Sequence, residues 1–314
     1  MSDNTRPALR TKVIIPTYNG GDVWKACAQA LARACAATPQ VSGVLVVDSS
    51  SRDDTVAVAS EYGFTVQVID SRDFDHAGTR NQACFGVMGD TDVVVFLTQD
   101  AILASDLSLE NLIAAFADPS VAVAYGRQLP HIDANPIAAH ARSFNYRAKG
   151  YVSGLEDKAV MGLKTVFTSN SFAAYRVSVF QELGGFPEKN ILSEDMFFAA
   201  KAVLAGHKVA YVADAAVLHS HNYTPMEEFR RYFDIGVFHH DEAWIAQAFG
   251  GAGGEGKRFI FSELKYLLQH APAWLPRACL HNGLKILGYK LGKNYTRLPV
   301  RLRRLFSMHR KYWG

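Results

Sequence analysis

The chain has 314 residues, of which 49% are hydrophobic and 20% are charged, so it can bury a large core and has an ordinary globular composition. The opening residues MSDNTRPALRTK contain no apolar run, so we expect no secretory signal. No uncharged apolar stretch approaches the roughly 20 residues that span a bilayer. The four cysteines form no Cys-x-x-Cys pair, which predicts buried free thiols in a reducing cytosol.

Charge is distributed unevenly along the chain. Residues 255–314 contain 13 Lys or Arg and two acidic residues, so this part carries +11 and the remainder carries −8 of the overall +3. An acidic body with a basic C-terminal part indicates that this part meets an anionic partner.

Short β-rich runs alternate with longer helical patterns over the first 130 residues. Continuous apolar strands separated by helices are typical of a parallel sheet that is covered on both faces. The predicted strands are 13–17, 43–48, 65–70, 92–98 and 121–126, and the predicted helices are 22–37, 53–62, 77–88 and 108–117.

The rest of the chain is predicted to be less regular. Residues 130–163 are expected to form a long loop with room for one helix. A strand is expected around 164–175, a helix from a cap at Ser193 to about Leu204, and a strand at 208–213. Helices are expected at 226–249, 257–270, 277–292 and 297–312, with a flexible glycine-rich linker at 250–256.

Polar residues follow the predicted strands at the point where each strand ends. Ligands bind outside the carboxyl ends of the strands in such sheets, so these residues should meet at one site. They are Thr17, Tyr18 and Asn19 after the first strand, Asp48 after the second, Asp70 after the third, and Thr98, Gln99 and Asp100 after the fourth.

Several motifs at these positions resemble those of family 2 glycosyltransferases. They are VIIPTYNGG from residue 13, VVDSSSRDDT from residue 46, HAGTRNQA from residue 76, FLTQDA from residue 96, LSEDMFF from residue 192 and HSH from residue 219. The TQDA form, with FDHAGTRN ahead of it, most resembles bacterial rhamnosyltransferases of cell-surface polysaccharide synthesis. The resemblance covers about residues 12–222.

The resemblance implies an α/β chain with the GT-A nucleotide-diphospho-sugar transferase fold, Rossmann-like and mostly parallel, followed by a helical basic C-terminal region. We expect a catalytic domain at 1–223, with a nucleotide-binding half at about 12–130 and an acceptor half at about 131–223. Residues 224–314 form the C-terminal region, which is matched only loosely.

The implied activity is inverting transfer of L-rhamnose from dTDP-L-rhamnose to a hydroxyl of a lipid-linked or polysaccharide acceptor in O-antigen or cell-surface glycan synthesis. Two alternatives stay open. The donor can be another nucleotide sugar linked to UDP or GDP, or the protein can bind a sugar nucleotide or glycan without catalysis. Sequence leaves the linkage and the oligomeric state undetermined.

The same resemblance implies a Mg²⁺ or Mn²⁺ ion at the donor diphosphate. Asp100 matches the last acid of the family's Asp-x-Asp triplet, which usually touches the metal, whereas Thr98 and Gln99 replace the acids that would contact the ribose or assist the ion. A histidine, His219 or His221, resembles the late ligand that some members add.

Other matched positions are implied to bind the donor or to act in catalysis. The loop Pro16, Thr17, Tyr18 and Asn19, together with Asp48 and Arg80, resembles the part of the family that holds the nucleotide and its diphosphate. Ser49 stands where a base-contacting acid is usual. Asp195 matches the general base, which takes the proton of the acceptor hydroxyl, and Glu194 its supporting acid.

The basic tail, with Lys and Arg interleaved with leucines and aromatic residues, is typical of helices that lie on an anionic membrane surface. We therefore expect a cytoplasmic protein that is peripheral on the inner face of the cell membrane through residues 255–314. RNA binding and an oligomer interface are the alternatives, but no nucleic-acid module accompanies the tail, so no nucleic acid partner is expected.

Overall fold

Nine strands form one mixed sheet in the computed structural model, which describes residues 9–251 and 253–314. Residues 1–8, where the predicted catalytic domain begins, and Ala252 of the predicted linker lie outside the described residues. The strands are Thr11–Thr17 (β1), Val41–Asp48 (β2), Thr65–Val68 (β3), Val93–Leu97 (β4), Ile102–Leu103 (β5), Val121–Leu129 (β6), Tyr151–Ser153 (β7), Phe172–Arg176 (β8) and Lys208–Leu218 (β9).

The strand order is β3-β2-β1-β4-β8-β6-β9-β5, and β7 pairs with β9. β1, β2, β3, β4, β6 and β9 run in one direction, which confirms the mostly parallel sheet. β8 lies between β4 and β6 and is antiparallel to both. The amino end of β8 therefore lies at the same sheet edge as the carboxyl ends of its neighbours.

The helices flank this sheet and make up most of the described chain after β9. They are Gly21–Ala37 (α1), Thr55–Glu61 (α2), His76–Val87 (α3), Ser108–Ala114 (α4), Pro136–Asn145 (α5), Lys158–Met161 (α6), Val177–Glu182 (α7), Glu194–Leu204 (α8), Pro225–Asp241 (α9), Ala243–Phe249 (α10), Gly253–His270 (α11), Leu275–Lys293 (α12) and Val300–Phe306 (α13). None of these helices, in the ranges described, has the length and hydrophobicity needed to cross a bilayer.

Several sequence predictions are wrong in detail. The strand expected around 164–175 is short, because residues 162–166 form a 3-10 helix. The expected loop at 130–163 contains α5, β7 and α6. The expected linker is shorter than 250–256, since α11 already begins at Gly253. Buried thiols are found at Cys27 and Cys84, but Cys279 is exposed.

β4 is buried on both of its faces. Val93–Leu97 are all 0% exposed, and alternate residues enter two separate apolar clusters, one containing Trp24 of α1 and the other Phe180 of α7. Because successive side chains of a strand point to opposite faces, such a strand can present polar groups to a ligand only past its end. The Thr98–Asp100 segment occupies that end.

The C-terminal helices pack tightly against the rest of the molecule. α9 and α12 approach each other at three glycines, where an added Cβ atom would lie 2.4 Å from Tyr289 O at Gly236, 2.3 Å from Phe229 O at Gly288 and 2.0 Å from Phe233 O at Gly292. α11 packs on α5. The predicted helix at 297–312 ends early, since α13 stops at Phe306.

Replacing Gly292 with alanine should destabilise the fold by about 1–3 kcal/mol, because the methyl group forces two backbones apart. Gly283→Ala is the matched control on the same helix, since nothing lies within 4 Å of its added Cβ atom. The control should be neutral or stabilising by up to about 1 kcal/mol, as alanine is the better helix former. Chemical denaturation measures both, and equal effects would contradict the close packing of α9 and α12.

Candidate functional site

The carboxyl ends of β1, β2 and β4 lie side by side. Thr17 is the partner of Asp48 in the β1–β2 register. Thr17 Oγ1 donates a hydrogen bond to Asp48 Oδ1 at 2.9 Å, and Ser51 N donates to Asp48 Oδ2 at 2.8 Å. Asp48 is 0% exposed, so its carboxylate organises the loops after β1 and β2 from within the protein.

The loop after β1 is held by its neighbours on both sides. Tyr18 N donates to Gln99 Oε1 at 2.8 Å, and Gln99 Nε2 donates to Tyr18 O at 3.1 Å. Asn19 N donates to Ser51 Oγ at 2.8 Å, and Asn19 adopts a left-handed φ of 45°, which asparagine tolerates. Pro16 is partly buried within β1, whereas Tyr18 is 51% exposed. The Tyr18 ring therefore stands on a fixed backbone at the surface.

One carboxylate and two imidazoles come together at the ends of β4 and β9. Asp100 Oδ2 lies 3.5 Å from His219 Nε2 and 3.8 Å from His221 Nε2. One ligand atom from each of the three residues falls within 4.8 Å of the other two. An oxygen and two imidazole nitrogens in this arrangement can hold a divalent cation and leave further positions open for a ligand.

The protonation of this cluster suits a metal. Gln128 Oε1 lies 3.0 Å from His219 Nδ1, and since a carbonyl oxygen can only accept, His219 donates from Nδ1 and keeps a lone pair on Nε2. Burial lowers the pKa of His219 and lowers that of His221 to about 4. Burial opposes ionisation of Asp100, but a hydrogen bond from Thr98 and any positive charge on the two imidazoles act in the other direction and lower its pKa. Near neutral pH the cluster is one carboxylate with two neutral imidazoles.

A cavity of about 430 Å³ extends from this cluster towards α8 and the C-terminal region. Seven of the residues predicted from the sequence line it: Arg80, Thr98, Asp100, Glu194, Asp195, His219 and His221. The seven others, Pro16, Thr17, Tyr18, Asn19, Asp48, Asp70 and Gln99, lie at the neighbouring strand ends outside its lining, and Asp70 forms an ion pair with Arg72. The structure thus separates a strand-end surface from a half-open cavity, and Asp100 lies where the two meet.

Arg80 and Glu194 form a buried ion pair on one wall of the cavity. Their side chains are only 4% and 9% exposed, with Arg80 Nη1 3.2 Å from Glu194 Oε1. Arg80 Nη1 also donates to His76 O at 2.9 Å, and Asn170 Nδ2 donates to Glu194 Oε1 at 2.9 Å. Glu194 thus fixes the start of α8 against α3 and the segment before β8.

Asp195 is held by backbone groups with its carboxylate on the cavity. Asn170 N donates to Asp195 Oδ2 at 2.9 Å, and Met196 N donates to Asp195 Oδ1 at 2.7 Å. The predicted cap at Ser193 is wrong: Ser193 has a left-handed φ of 62° and its side chain makes no capping bond. Burial, assisted by the charge of Glu194, raises the pKa of Asp195 to about 7. A carboxylate with this pKa can take a proton from a ligand near neutral pH.

Sequence reasoning missed several cavity residues. Asn170 and Ser171 precede β8, and a rule that searches only carboxyl ends of strands overlooks them because β8 is antiparallel. Gln128 lies within β6, and Arg142 lies on α5 in the segment expected to be mainly loop. A polar side chain inside an apolar strand, as at Gln128, is the signal that could have been used.

The C-terminal region closes the cavity. Asp234 of α9 is 0% exposed, and its Oδ2 accepts hydrogen bonds from Met308 N at 2.8 Å and His309 N at 3.4 Å. These bonds turn the chain after α13, which is why the predicted helix at 297–312 breaks. The His309 ring then lies 5.5 Å from the His76 ring, and both residues line the cavity with Arg231.

Comparison with known proteins identifies the family. Residues 12–184 match the family described as Glycosyl transferase family 2. The O-antigen chain rhamnosyltransferase RfbN of Salmonella typhimurium (strain LT2) is 54% identical over 307 residues, which are 98% of this chain and 96% of that protein. The O-antigen chain rhamnosyltransferase WbaN of Salmonella anatum is 52% identical over 303 residues, covering 96% of this chain and 95% of that protein.

Solved structures share the fold at low identity. The mannosyltransferase PcManGT from Pyrobaculum calidifontis, in complex with GDP-Man and Mn²⁺, matches with a TM-score of 0.58 and 19% identity over 97% of this chain and 85% of that one. S. aureus TarS 1-349 in complex with UDP matches with a TM-score of 0.51 and 16% identity over 92% and 91%. These matches confirm the GT-A fold. With the family match over more than half of its length and close relatives over nearly all of it, the chain belongs to glycosyl transferase family 2.

Proposed function

We propose that the protein transfers L-rhamnose from dTDP-L-rhamnose to a hydroxyl of a glycan or lipid-linked glycan acceptor in O-antigen synthesis, with inversion at the anomeric carbon. The observation that carries the proposal is the similarity, over nearly the whole chain, to two proteins named O-antigen chain rhamnosyltransferase. The cavity supports it, because a carboxylate with a raised pKa and a candidate metal cluster both line it.

The acid–base step is assigned to Asp195. Its carboxylate accepts the proton of the acceptor hydroxyl as that oxygen attacks the anomeric carbon, and the two backbone N–H groups that bind it fix its direction. Glu194 is paired with Arg80, so we assign it to positioning of Asp195 and the acceptor rather than to proton transfer.

A Mg²⁺ or Mn²⁺ ion is assigned to Asp100, His219 and His221. The fit rests on the donor set, one carboxylate and two neutral imidazoles with a Gln128 hydrogen bond that orients one of them. When bound, the cation offsets the negative charge that grows on the leaving diphosphate. The sequence alone proposed one histidine ligand, His219 or His221, whereas this assignment uses both.

The nucleotide is assigned to the strand-end surface outside the cavity. Tyr18 is exposed on a backbone that Gln99 holds in place, and Pro16, Thr17 and Asn19 complete the loop. Asp48 supports this loop from beneath through Thr17. The remaining donor positions, Arg80 and Thr98, line the cavity, and we assign them to the diphosphate of the donor.

The predicted domain division becomes part of the proposal. Residues 1–223 form the catalytic domain, with the nucleotide-binding half at about 12–130 and the acceptor half at about 131–223. Residues 224–314 complete the acceptor side, because Arg231, Met308 and His309 from this region line the cavity.

The transfer proposal is tested by release of dTDP from dTDP-L-rhamnose within a panel of nucleotide sugars, with and without acceptor. Asp195→Asn should lower kcat by about 10²–10⁴-fold and leave dTDP affinity nearly unchanged, because it removes the base and not a donor contact. In the wild type, kcat should rise with pH through about 7, since only the ionised Asp195 accepts a proton.

Asp214→Asn is the matched control, as Asp214 is exposed on β9 away from the cavity, and it should retain full activity. Binding of a nucleotide sugar without turnover under every condition would instead support the non-catalytic alternative. Turnover with a UDP- or GDP-linked sugar alone would overturn the assignment of the donor.

Removal of the metal should abolish transfer, and Asp100→Asn should weaken Mg²⁺- or Mn²⁺-dependent dTDP binding by about tenfold or more, because a neutral amide is a poor metal ligand. Calorimetric titration of dTDP with and without each cation measures this. Asp106→Asn is the control, because Asp106 is an exposed acid after β5 that does not line the cavity. Full activity in excess chelator would remove the cation from the mechanism.

The C-terminal region is assigned to an anionic membrane surface at the cytoplasmic face. On α11, Lys257, Phe261, Lys265 and Leu268 follow one another at spacings of four, four and three residues, so they share a helix face. Phe261 is 73% exposed and Leu268 is 63% exposed, and both lysines are exposed. Apolar side chains flanked by lysines on one face favour a bilayer with anionic lipid.

Phe261→Ser combined with Leu268→Ser should reduce binding to vesicles containing anionic lipid by about tenfold or more, since both side chains would otherwise enter the interface. Vesicle flotation measures binding, and Val160→Ser is the control because Val160 is 92% exposed outside this region. The assignment would be contradicted if the double variant floated with vesicles as well as the control does, or if the protein bound RNA and not vesicles. Deleting residues 255–314 is a poor test, because it removes α12, which packs against α9.

A further inference from the structure

Tyr175 places a hydroxyl group among phenylalanine side chains in the core. It lies on β8 and is 0% exposed. Its ring meets four other rings edge to face, with centroids 5.4 to 5.8 Å apart: those of Phe96, Phe180, Phe186 and Phe198. A fifth phenylalanine would fill this position equally well, and burying a hydroxyl costs free energy unless it is hydrogen-bonded. The bond that the hydroxyl makes therefore explains its presence.

That bond is to Asn170, and it orients the Asn170 side chain. Tyr175 Oη donates to Asn170 Oδ1 at 2.7 Å. Asn170 is 4% exposed, and its Nδ2 donates to Glu194 Oε1 at 2.9 Å. The Glu194 carboxylate, paired with Arg80, can only accept, so the Asn170 amide turns its nitrogen to Glu194 and its oxygen to Tyr175. The tyrosine hydroxyl is thus the donor that completes this chain of bonds.

Asn170 also holds the neighbouring acid of α8 through its backbone. Its N–H donates to Asp195 Oδ2 at 2.9 Å, while its side chain binds Glu194. Asn170 lies in the turn before β8, so no strand ladder fixes the direction of this N–H. The side-chain bonds of Asn170 take over that task. If its amide were free to rotate, the N–H of the same residue would lose its alignment with Asp195.

We propose that Tyr175 is a positioning residue for sugar transfer: its hydroxyl fixes the Asn170 amide, and Asn170 in turn fixes the carboxylate of Asp195. This inference rests on the proposed function, in which Asp195 is the base. Tyr175 itself is wholly buried and does not line the cavity, so it acts on the reaction only through Asn170.

The hydroxyl contributes a hydrogen bond and no charge. Tyr175 and Tyr146 are phenols near Asp195, and burial raises the pKa of each, so both are neutral near neutral pH. The charges of the described chain that act most on Asp195 are those of Glu194 beside it and Arg80 of α3. Other titratable groups face the same cavity, namely His76, Arg142, Arg231, Asp234, His309 and the Asp100–His219–His221 cluster. Replacing Tyr175 with phenylalanine changes none of them.

Tyr175→Phe should raise the pKa of Asp195 above about 7 by roughly one unit, because a hydrogen bond donated to a carboxylate favours its charged form and this bond is loosened. The midpoint of the kcat–pH profile should rise by the same amount. At about pH 7 kcat should fall about fivefold, and at about pH 9 it should differ less than about twofold from the wild type. The dTDP affinity should not change. A tyrosine that only packs would leave the midpoint where it is.

Tyr125→Phe is the matched control. Tyr125 is 2% exposed on β6, which pairs with β8, and its hydroxyl bonds to the Tyr151 hydroxyl at 2.8 Å instead of to a cavity residue. Chemical denaturation should show a similar loss of stability in both variants, and only Tyr175→Phe should move the midpoint. An equal shift in the two variants, or no shift in Tyr175→Phe, would overturn the proposal.

Asn170→Ala tests the route from Tyr175 to Asp195. If the hydroxyl acts through the Asn170 side chain, adding Tyr175→Phe to Asn170→Ala should move the midpoint no further than Asn170→Ala alone. Shifts that add in the double variant would show that Tyr175 acts by another route and would overturn this one.

A titration without turnover separates this inference from the proposed function. Carbon NMR of protein labelled at the aspartate Cγ follows the Asp195 carboxyl, whose signal is assigned by its loss in Asp195→Asn. An unchanged Asp195 titration in Tyr175→Phe would overturn the positioning contact, whatever the transfer assay gives. A raised Asp195 midpoint in a protein that transfers no sugar would uphold the contact and overturn the proposed function.

Discussion

The buried contact between Arg80 and Glu194 is the interaction on which the site depends. It joins the start of α3 to the start of α8, and Asn170 bonds to Glu194 and to Asp195 from the segment before β8. Because the pair is almost wholly buried, losing one partner would leave an uncompensated charge in the interior, which is far costlier than losing a surface ion pair. The position of Asp195, the proposed base, is thus set by an electrostatic contact between two other residues.

Much of the sheet could be predicted from the sequence, because strands buried on both faces read as continuous apolar runs. Val93–Leu97 illustrates this, and two of the three polar residues after it, Thr98 and Asp100, do line the cavity. The antiparallel insertion of β8 could not be predicted, since nothing in its composition gives its direction. Asn170 was missed for that reason, although the structure places it between both acids of α8.

The C-terminal region was the least predictable part. Its basic and apolar residues indicated a surface helix, but that pattern does not distinguish a side chain exposed to solvent from one that faces a cavity. In the sequence, Arg231 is one charge among several in an amphipathic helix. The burial of Asp234 depends on Met308 and His309, which follow it by 74 and 75 residues. Lys311 Nζ reaches Ser71 O at 3.0 Å, so the end of the chain also touches the loop after β3. The region therefore serves as a wall of the site as well as an outer surface.

The titratable groups that line this cavity have very different pKa values, so a change in pH would affect the proposed base and the proposed metal ligands differently. His221 titrates at about 4 and Asp195 at about 7, while the pKa of Asp100 is lowered. Between these limits, with the roles proposed above, a proton competes for Asp195 but does not compete for the residues assigned to the cation. Under the proposed assignments, a mild fall in pH would therefore protonate Asp195 and stop transfer, while the residues assigned to the cation kept their charge state.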